Sequence, residues 1–170
     1  MKIPILKFTG EPDQGYTVVP QQQLEQMISN LYKIEGGIQT TYDPNKSWYF
    51  DSYYTALPVG VNYKQFSTIL QFWRDILSQL IYTPETFDCD NFAFLLSSLI
   101  AGCGYNCCGV VIGELYYQDQ FLGYHAWNIF LFINDQGVFK VMEFEPQTAE
   151  ILINHQSTDG FRYVGRWVFW

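Results

Sequence analysis

Cys89 stands in the stretch Phe87-Asp88-Cys89-Asp90-Asn91-Phe92-Ala93, directly ahead of Phe94-Leu95-Leu96-Ser97-Ser98-Leu99-Ile100. Apolar residues at 92, 95, 96, 99 and 100 have the spacing of one buried helix face. Asp88 is a good N-cap residue, so Cys89 falls in the first turn and begins the same inward stripe. A thiol there meets unpaired backbone N–H groups and the positive end of the helix dipole, which favours thiolate and nucleophilic chemistry. A buried structural cysteine would occupy the same address, since free cysteines are commonly buried. What separates the two is whether a base lies in hydrogen-bond reach, with a third group to orient it.

Only two histidines are available. His155, in Asn154-His155-Gln156-Ser157, reads as a polar loop residue. His125 opens an otherwise apolar strand, where an ionisable group must have a partner. Two glutamates on the following strand are candidates. A hairpin turn of two to four residues around Asp135 and Gln136 sets the residue opposite His125 between Glu145 and Gln147. Glu145 is then a direct or diagonal neighbour, roughly 4.5–8 Å away, and Glu143 lies one same-face step further off. Glu145 is the expected orienter and Glu143 the alternative. The plain structural reading is a surface hairpin with two solvated glutamates.

The elements that must carry these residues follow from periodicity. A short strand is expected over residues 3–8. A helix follows from Pro20, with Leu24, Met27, Ile28 and Leu31 on one face and Gly36-Gly37 as its stop. From Ile38 to Val61 the chain is irregular and aromatic. Trp48, Tyr49 and Tyr53 of that stretch, with Trp127, are expected to line a substrate groove. Phe66, Ile69, Leu70, Trp73, Ile76, Leu77 and Leu80 define a strong amphipathic helix ending near Tyr82-Thr83-Pro84. After Gly102 the period changes to that of strands, near 109–116, 124–133, 138–145, 151–153 and 163–169. The 124–133 strand is apolar on both faces and therefore central. Helices first and an antiparallel sheet second give an α+β class, in a single domain over residues 1–170. Its parts are a helix and aromatic covering segment to residue 62, a helical layer over 63–102, and a sheet over 109–170.

Three blocks, Asp88-Cys89-Asp90-Asn91-Phe92-Ala93, His125-Ala126-Trp127-Asn128 and Glu145-Pro146-Gln147-Thr148, resemble those of the transglutaminase-like, papain-like cysteine peptidases. The nearest branches are bacterial transglutaminase-like cysteine proteases and the papain-like domain of a fungal agglutinin. The resemblance covers about residues 85–150. It implies a papain-like fold, with Cys89 as nucleophile, His125 as base and acid, and Glu145 as orienter. Glu replaces the commoner Asp or Asn as third member, as in the agglutinin branch. Both branches are calcium-dependent, which by resemblance makes Asp88 and Asp90 calcium ligands. Like-charge repulsion from these two carboxylates would oppose thiolate formation, and a bound cation would reverse that sign. The metal-free reading is that Asp88 caps the helix and Asp90 complements its dipole.

The expected activity is amide-bond hydrolysis of a protein or peptide substrate through a thioester. Deamidation and transamidation share the machinery up to that intermediate. A second reading is a catalytically inactive fold serving as a protein- or glycan-binding module. A third, a zinc site from Cys103, Cys107, Cys108 and His125, lacks paired C-x2-C spacing. A net charge of −8 without a Lys/Arg cluster argues against a nucleic-acid partner. No apolar run approaches a membrane span and the N-terminus is too interrupted for a signal peptide, so a cytoplasmic location is expected. Hydrophobic residues reach 48% and aromatics 19%, which excludes disorder and exceeds the aromatic content a core of this size needs.

Overall fold

The structure, a computed structural model, describes residues 17–19, 21–32, 48–49 and 59–170. The expected strand at 3–8, the Gly36-Gly37 stop and Tyr53 lie outside them. Two-residue strands β1 (Thr17–Val18) and β3 (Val59–Gly60) pair antiparallel near helix α1 (Gln21–Tyr32). Between them, β2 (Trp48–Tyr49) joins the main sheet; only its backbone is described.

Helix α2 (Tyr63–Leu77) starts on a reciprocal cap. Gln65 N–H donates to Asn62 Oδ1, and Asn62 N–H to Gln65 Oε1, each at 2.9 Å. Phe66, Ile69, Phe72, Trp73 and Ile76 form its buried stripe. The helix stops at Leu77 rather than near Pro84. Gln79 N–H donates to Ile76 O and Leu80 N–H to Leu77 O, so the chain tightens into three-residue turns there. Leu80 still packs against the core, which is why periodicity overran the true end.

Helix α3 (Cys89–Gly102) buries Phe92, Ala93, Leu96 and Ile100. Five strands follow: β4 (Cys108–Tyr117), β5 (Gln120–Ile133), β6 (Phe139–Glu145), β7 (Glu150–Leu152) and β8 (Phe161–Phe169). Their order is β2-β8-β4-β5-β6-β7. All neighbours run antiparallel except the edge strand β2, which lies parallel to β8. The class is α+β.

Alternation along the strands feeds two cores. Phe130 and Phe144 pack with Phe66, Trp73, Leu96 and others beneath α2 and α3. Trp127, Ile129 and Leu131 pack with Leu24, Ile28 and Val19 beneath α1. Both faces of β5 are therefore covered, as its two-sided apolar sequence requires. The helical layer expected on one face is in fact split, because α1 packs on the other. Asn128, fully buried, ties α3 to the sheet: its Nδ2 donates to Ala93 O at 2.9 Å and to Gly109 O at 3.1 Å. Ser97 Oγ adds a bond to Cys108 O at 2.8 Å.

Candidate active site

Cys89 occupies the first turn of α3 and is half-buried, packed against Ala93, Val110 and Ala126. The turn is set by Asp88 as N-cap, whose N–H donates to Asn91 Oδ1 at 3.1 Å. Asn91 N–H in turn donates to Asp90 Oδ1 at 2.8 Å. The clamp from Asn128 to Ala93 O fixes this end of the helix one turn away from the thiol.

His125 lies on β5 opposite Gly113 of β4. A side chain at Gly113 would run into Val164 O and come within 2.8 Å of the Trp127 ring, so only glycine allows this close approach. The β5–β6 ladder ends at Asn128↔Phe144. Carried on, that register sets Gln147 opposite His125 and Glu145 on the diagonal. His125 Nε2 lies 2.6 Å from Glu145 Oε2. Cys89 lies near enough to the same imidazole to raise its affinity for a proton. With Nε2 committed to Glu145, Nδ1 is the ring nitrogen left for the thiol.

Glu145 is itself held on several sides. Its Oε1 accepts from Gln147 N–H at 2.9 Å, and Tyr163 lies near enough for the carboxylate to raise its phenol. Trp73 Nε1 donates to Pro146 O at 2.7 Å, so α2 pins the turn that follows Glu145. Burial lowers the affinity of His125 for a proton, but the hydrogen bonds and charges of Cys89 and Glu145 outweigh it and lift its pKa to about 9. Burial, with the Glu145 charge and hydrogen bond, pushes the Tyr163 phenol well up, so it stays a donor. A cavity of about 170 Å³ opens beside the pair, lined among others by His125, Glu145, Thr148, Asp159 and Tyr163.

Three expectations need correction. Trp127 is fully buried and lines no groove; its ring fills the core between α1 and the sheet. Glu143 is not a solvated hairpin residue, and it does not reach His125. It is 4% exposed and pairs with His155, whose Nδ1 lies 2.6 Å from Glu143 Oε2. His155 is therefore an ion-pair partner and no mere loop residue. The side chains of Trp48, Tyr49 and Tyr53 lie outside the described residues. Tyr163 and Tyr32 went unread, because no local pattern connects them to residues so distant in the chain.

Asp88 and Asp90 touch: the hydrogen bond to Asp88, then burial and the Asp88 charge, raise the Asp90 carboxyl above its usual range. Two carboxyls side by side would supply two of the six to eight oxygens that calcium takes. Among the described residues no group of three His, Cys, Asp or Glu side chains is placed to hold a metal, Cys103, Cys107, Cys108 and His125 included. Cys107 and Cys108 are buried thiols whose pKa burial pushes far up, which suits packing rather than ligation.

No family model matches the sequence, and no curated protein matches it. Solved structures do resemble the fold. A PSL1a–E64 complex superposes with a TM-score of 0.60 at 21% identity, over 91% of this chain and 50% of that one. Polyporus squamosus lectin, bound to the human-type influenza-binding epitope Neu5Acα2-6Galβ1-4GlcNAc, superposes with a TM-score of 0.50 at 26% identity, over 71% of this chain and 42% of that one. A pro-protein-glutaminase (TM-score 0.39, 10% identity) is too distant to argue from. The chain thus spans about half the length of the chains it matches. At the coarse level this likeness is one of fold and supports a papain-like arrangement.

Proposed function

We propose that the chain is a cysteine-dependent amide-bond hydrolase acting on protein or peptide through Cys89, His125 and Glu145. The observation that carries this reading is one part-buried imidazole bonded at 2.6 Å to a buried carboxylate, with a helix-N-terminal thiol near enough to raise its proton affinity. In this mechanism His125, which holds its proton at neutral pH, pairs with the Cys89 thiolate as Sγ attacks the substrate carbonyl carbon. Backbone N–H groups at the start of α3 receive the developing oxyanion. The tetrahedral adduct collapses with His125 giving its proton to the leaving amine, and a thioester remains on Sγ. Water, deprotonated by His125, attacks the thioester and releases the acid and the thiol. Glu145 holds the ring orientation and stabilises the imidazolium throughout. An amine acceptor in place of water would make the same site a transglutaminase, and a glutamine side chain as substrate a deamidase. Asp88 and Asp90 would hold a calcium ion, which offsets their charge beside the thiol.

The comparisons speak more for a second reading, an inactive fold that binds a glycan or protein, because one neighbour is a lectin crystallised with a sialylated trisaccharide. One pair of experiments decides between them. The protein is incubated with a denatured proteome, with and without calcium, and new peptide termini are mapped beside a Cys89→Ala control. The same preparation is applied to a glycan array. New termini that vanish in the control support the hydrolase. Glycan binding unchanged in Cys89→Ala, with no new termini, supports the binding module.

A further inference from the structure

One same-face step along β6 from Glu145 stands a second glutamate with a second histidine. Glu143 Oε1 accepts from the Tyr32 hydroxyl at 2.6 Å and from Trp127 Nε1 at 3.1 Å, and its Oε2 pairs with His155 Nδ1 at 2.6 Å. These partners come from α1, from β5 and from the turn after β7. Such a buried carboxylate is stable only with partners of this kind, and removing one would leave an uncompensated charge. The proposed chemistry does not use it.

Two further observations give the cluster a purpose. The Trp127 indole lies 16° from the His125 ring plane with centroids 6.5 Å apart. Tyr163 closes the corner at 5.3 Å from Trp127 and 5.8 Å from His125. The indole that Glu143 fixes is thus one wall of the slot that holds His125. In addition, Asn154 and His155 both adopt left-handed backbone, at φ 51° and 63°. Reciprocal backbone bonds, Ile153 N–H to Gln156 O at 2.9 Å and Gln156 N–H to Ile153 O at 3.0 Å, close this turn as a two-residue hairpin, which asks for positive φ at both central residues. The contact of His155 with Glu143 ties this hairpin to β6, and the segment that follows carries Ser157 and Asp159 to the cavity beside His125 and Glu145.

We propose that Glu143 is a positioning residue: it locks Trp127 and the 153–156 turn around His125, so the reactivity of Cys89 depends on a side chain outside its own triad. For that consequence the inference rests on the thiol–imidazole reading above, whereas the lock itself is tested without it. Other charged or titratable groups facing the cluster are Tyr32 from α1, Tyr163 from β8, and Glu145 and Glu150 from β6 and β7. Burial and Glu143 push the Tyr32 hydroxyl up, and burial and Glu145 push up that of Tyr163, so both remain neutral donors.

The full chain labelled with 15N-histidine gives ring signals from two histidines only, assigned by His155→Gln. Those of His125 are recorded for wild type, Glu143→Gln, Trp127→Phe and the double variant, together with the iodoacetamide labelling rate of Cys89 at pH 7. The lock predicts that each single variant shifts or broadens the His125 signals and slows labelling about tenfold. It also predicts that the double variant is little worse than either single one. His125 signals and labelling at wild-type values in the variants, whatever happens to their melting temperature, would overturn it. Should Glu143→Gln fail to fold, Tyr32→Phe, which keeps the ring and loses only the hydroxyl that donates to Glu143 Oε1, carries the same two outcomes. If wild-type Cys89 labels no faster than in His125→Ala, the thiol reading fails while the His125 signals still decide the lock.

Discussion

Glu143 and Glu145 share a face of β6 and are 4% and 3% exposed, yet each is committed to a different histidine. Alternation along the strand placed both on one face, and the hairpin register ranked Glu145 nearer to His125. That much was legible, because a ladder's geometry follows from turn length alone. The partner of Glu143 was not, because His155 reaches it from a turn whose positive φ values leave no periodic trace. At Asp88 and Asp90 the contact between two carboxyls has a measurable consequence. Isothermal titration with calcium is expected to show binding to the wild type and none to the Asp88→Asn, Asp90→Asn double variant. Equal heats in both proteins would remove these residues as ligands and leave them as a cap and a dipole partner.

Among the elements, α3 was readable from its N-cap and its five apolar positions, and α2 from its stripe, although Phe72 joins the buried set unannounced. The end of α2 and the side of the sheet that α1 covers were not readable. Both are decided by tertiary packing, which turns Leu80 inward outside a helix and sets Leu24 and Ile28 against β5. Trp127 was misplaced for a related reason: an aromatic beside a reactive histidine can face a groove or a core, and the sequence pattern is the same. Trp73 joins fold to site. It is fully buried in α2 and donates to Pro146 O, one residue after Glu145. Trp73→Ala is expected to destabilise by about 3–5 kcal/mol through the cavity and the orphaned carbonyl. Denaturant unfolding followed by circular dichroism measures it; a loss under about 1 kcal/mol would place Trp73 outside the core's energetics.

For the molecule as a whole, the two histidines give stability a pH dependence of definite sign. His125 binds its proton more tightly folded, with a pKa near 9 against an ordinary 6.5. His155 is raised by its bond to Glu143, against the opposing effect of burial. The folded state therefore holds more protons, and their contribution is complete below about 6.5 and lost as pH rises through the folded values. Melting temperature is expected to fall between about pH 6.5 and 9, and His125→Gln to flatten that slope. A slope unchanged by the substitution would show that His125 is not held protonated. No described helix is long and apolar enough to cross a membrane.

The central claim is that Cys89, His125 and Glu145 act as one unit, and Cys103 supplies an internal standard, since burial raises its thiol above the usual range and no imidazole assists it. The measurement is the iodoacetamide labelling rate of each cysteine at pH 6, followed by mass spectrometry in wild type, His125→Ala and Glu145→Gln. The expected result is that wild-type Cys89 labels about a hundredfold faster than Cys103 and that both substitutions abolish most of that advantage. Labelling of Cys89 at the rate of Cys103 in all three proteins would contradict the claim and leave the binding module as the reading that stands.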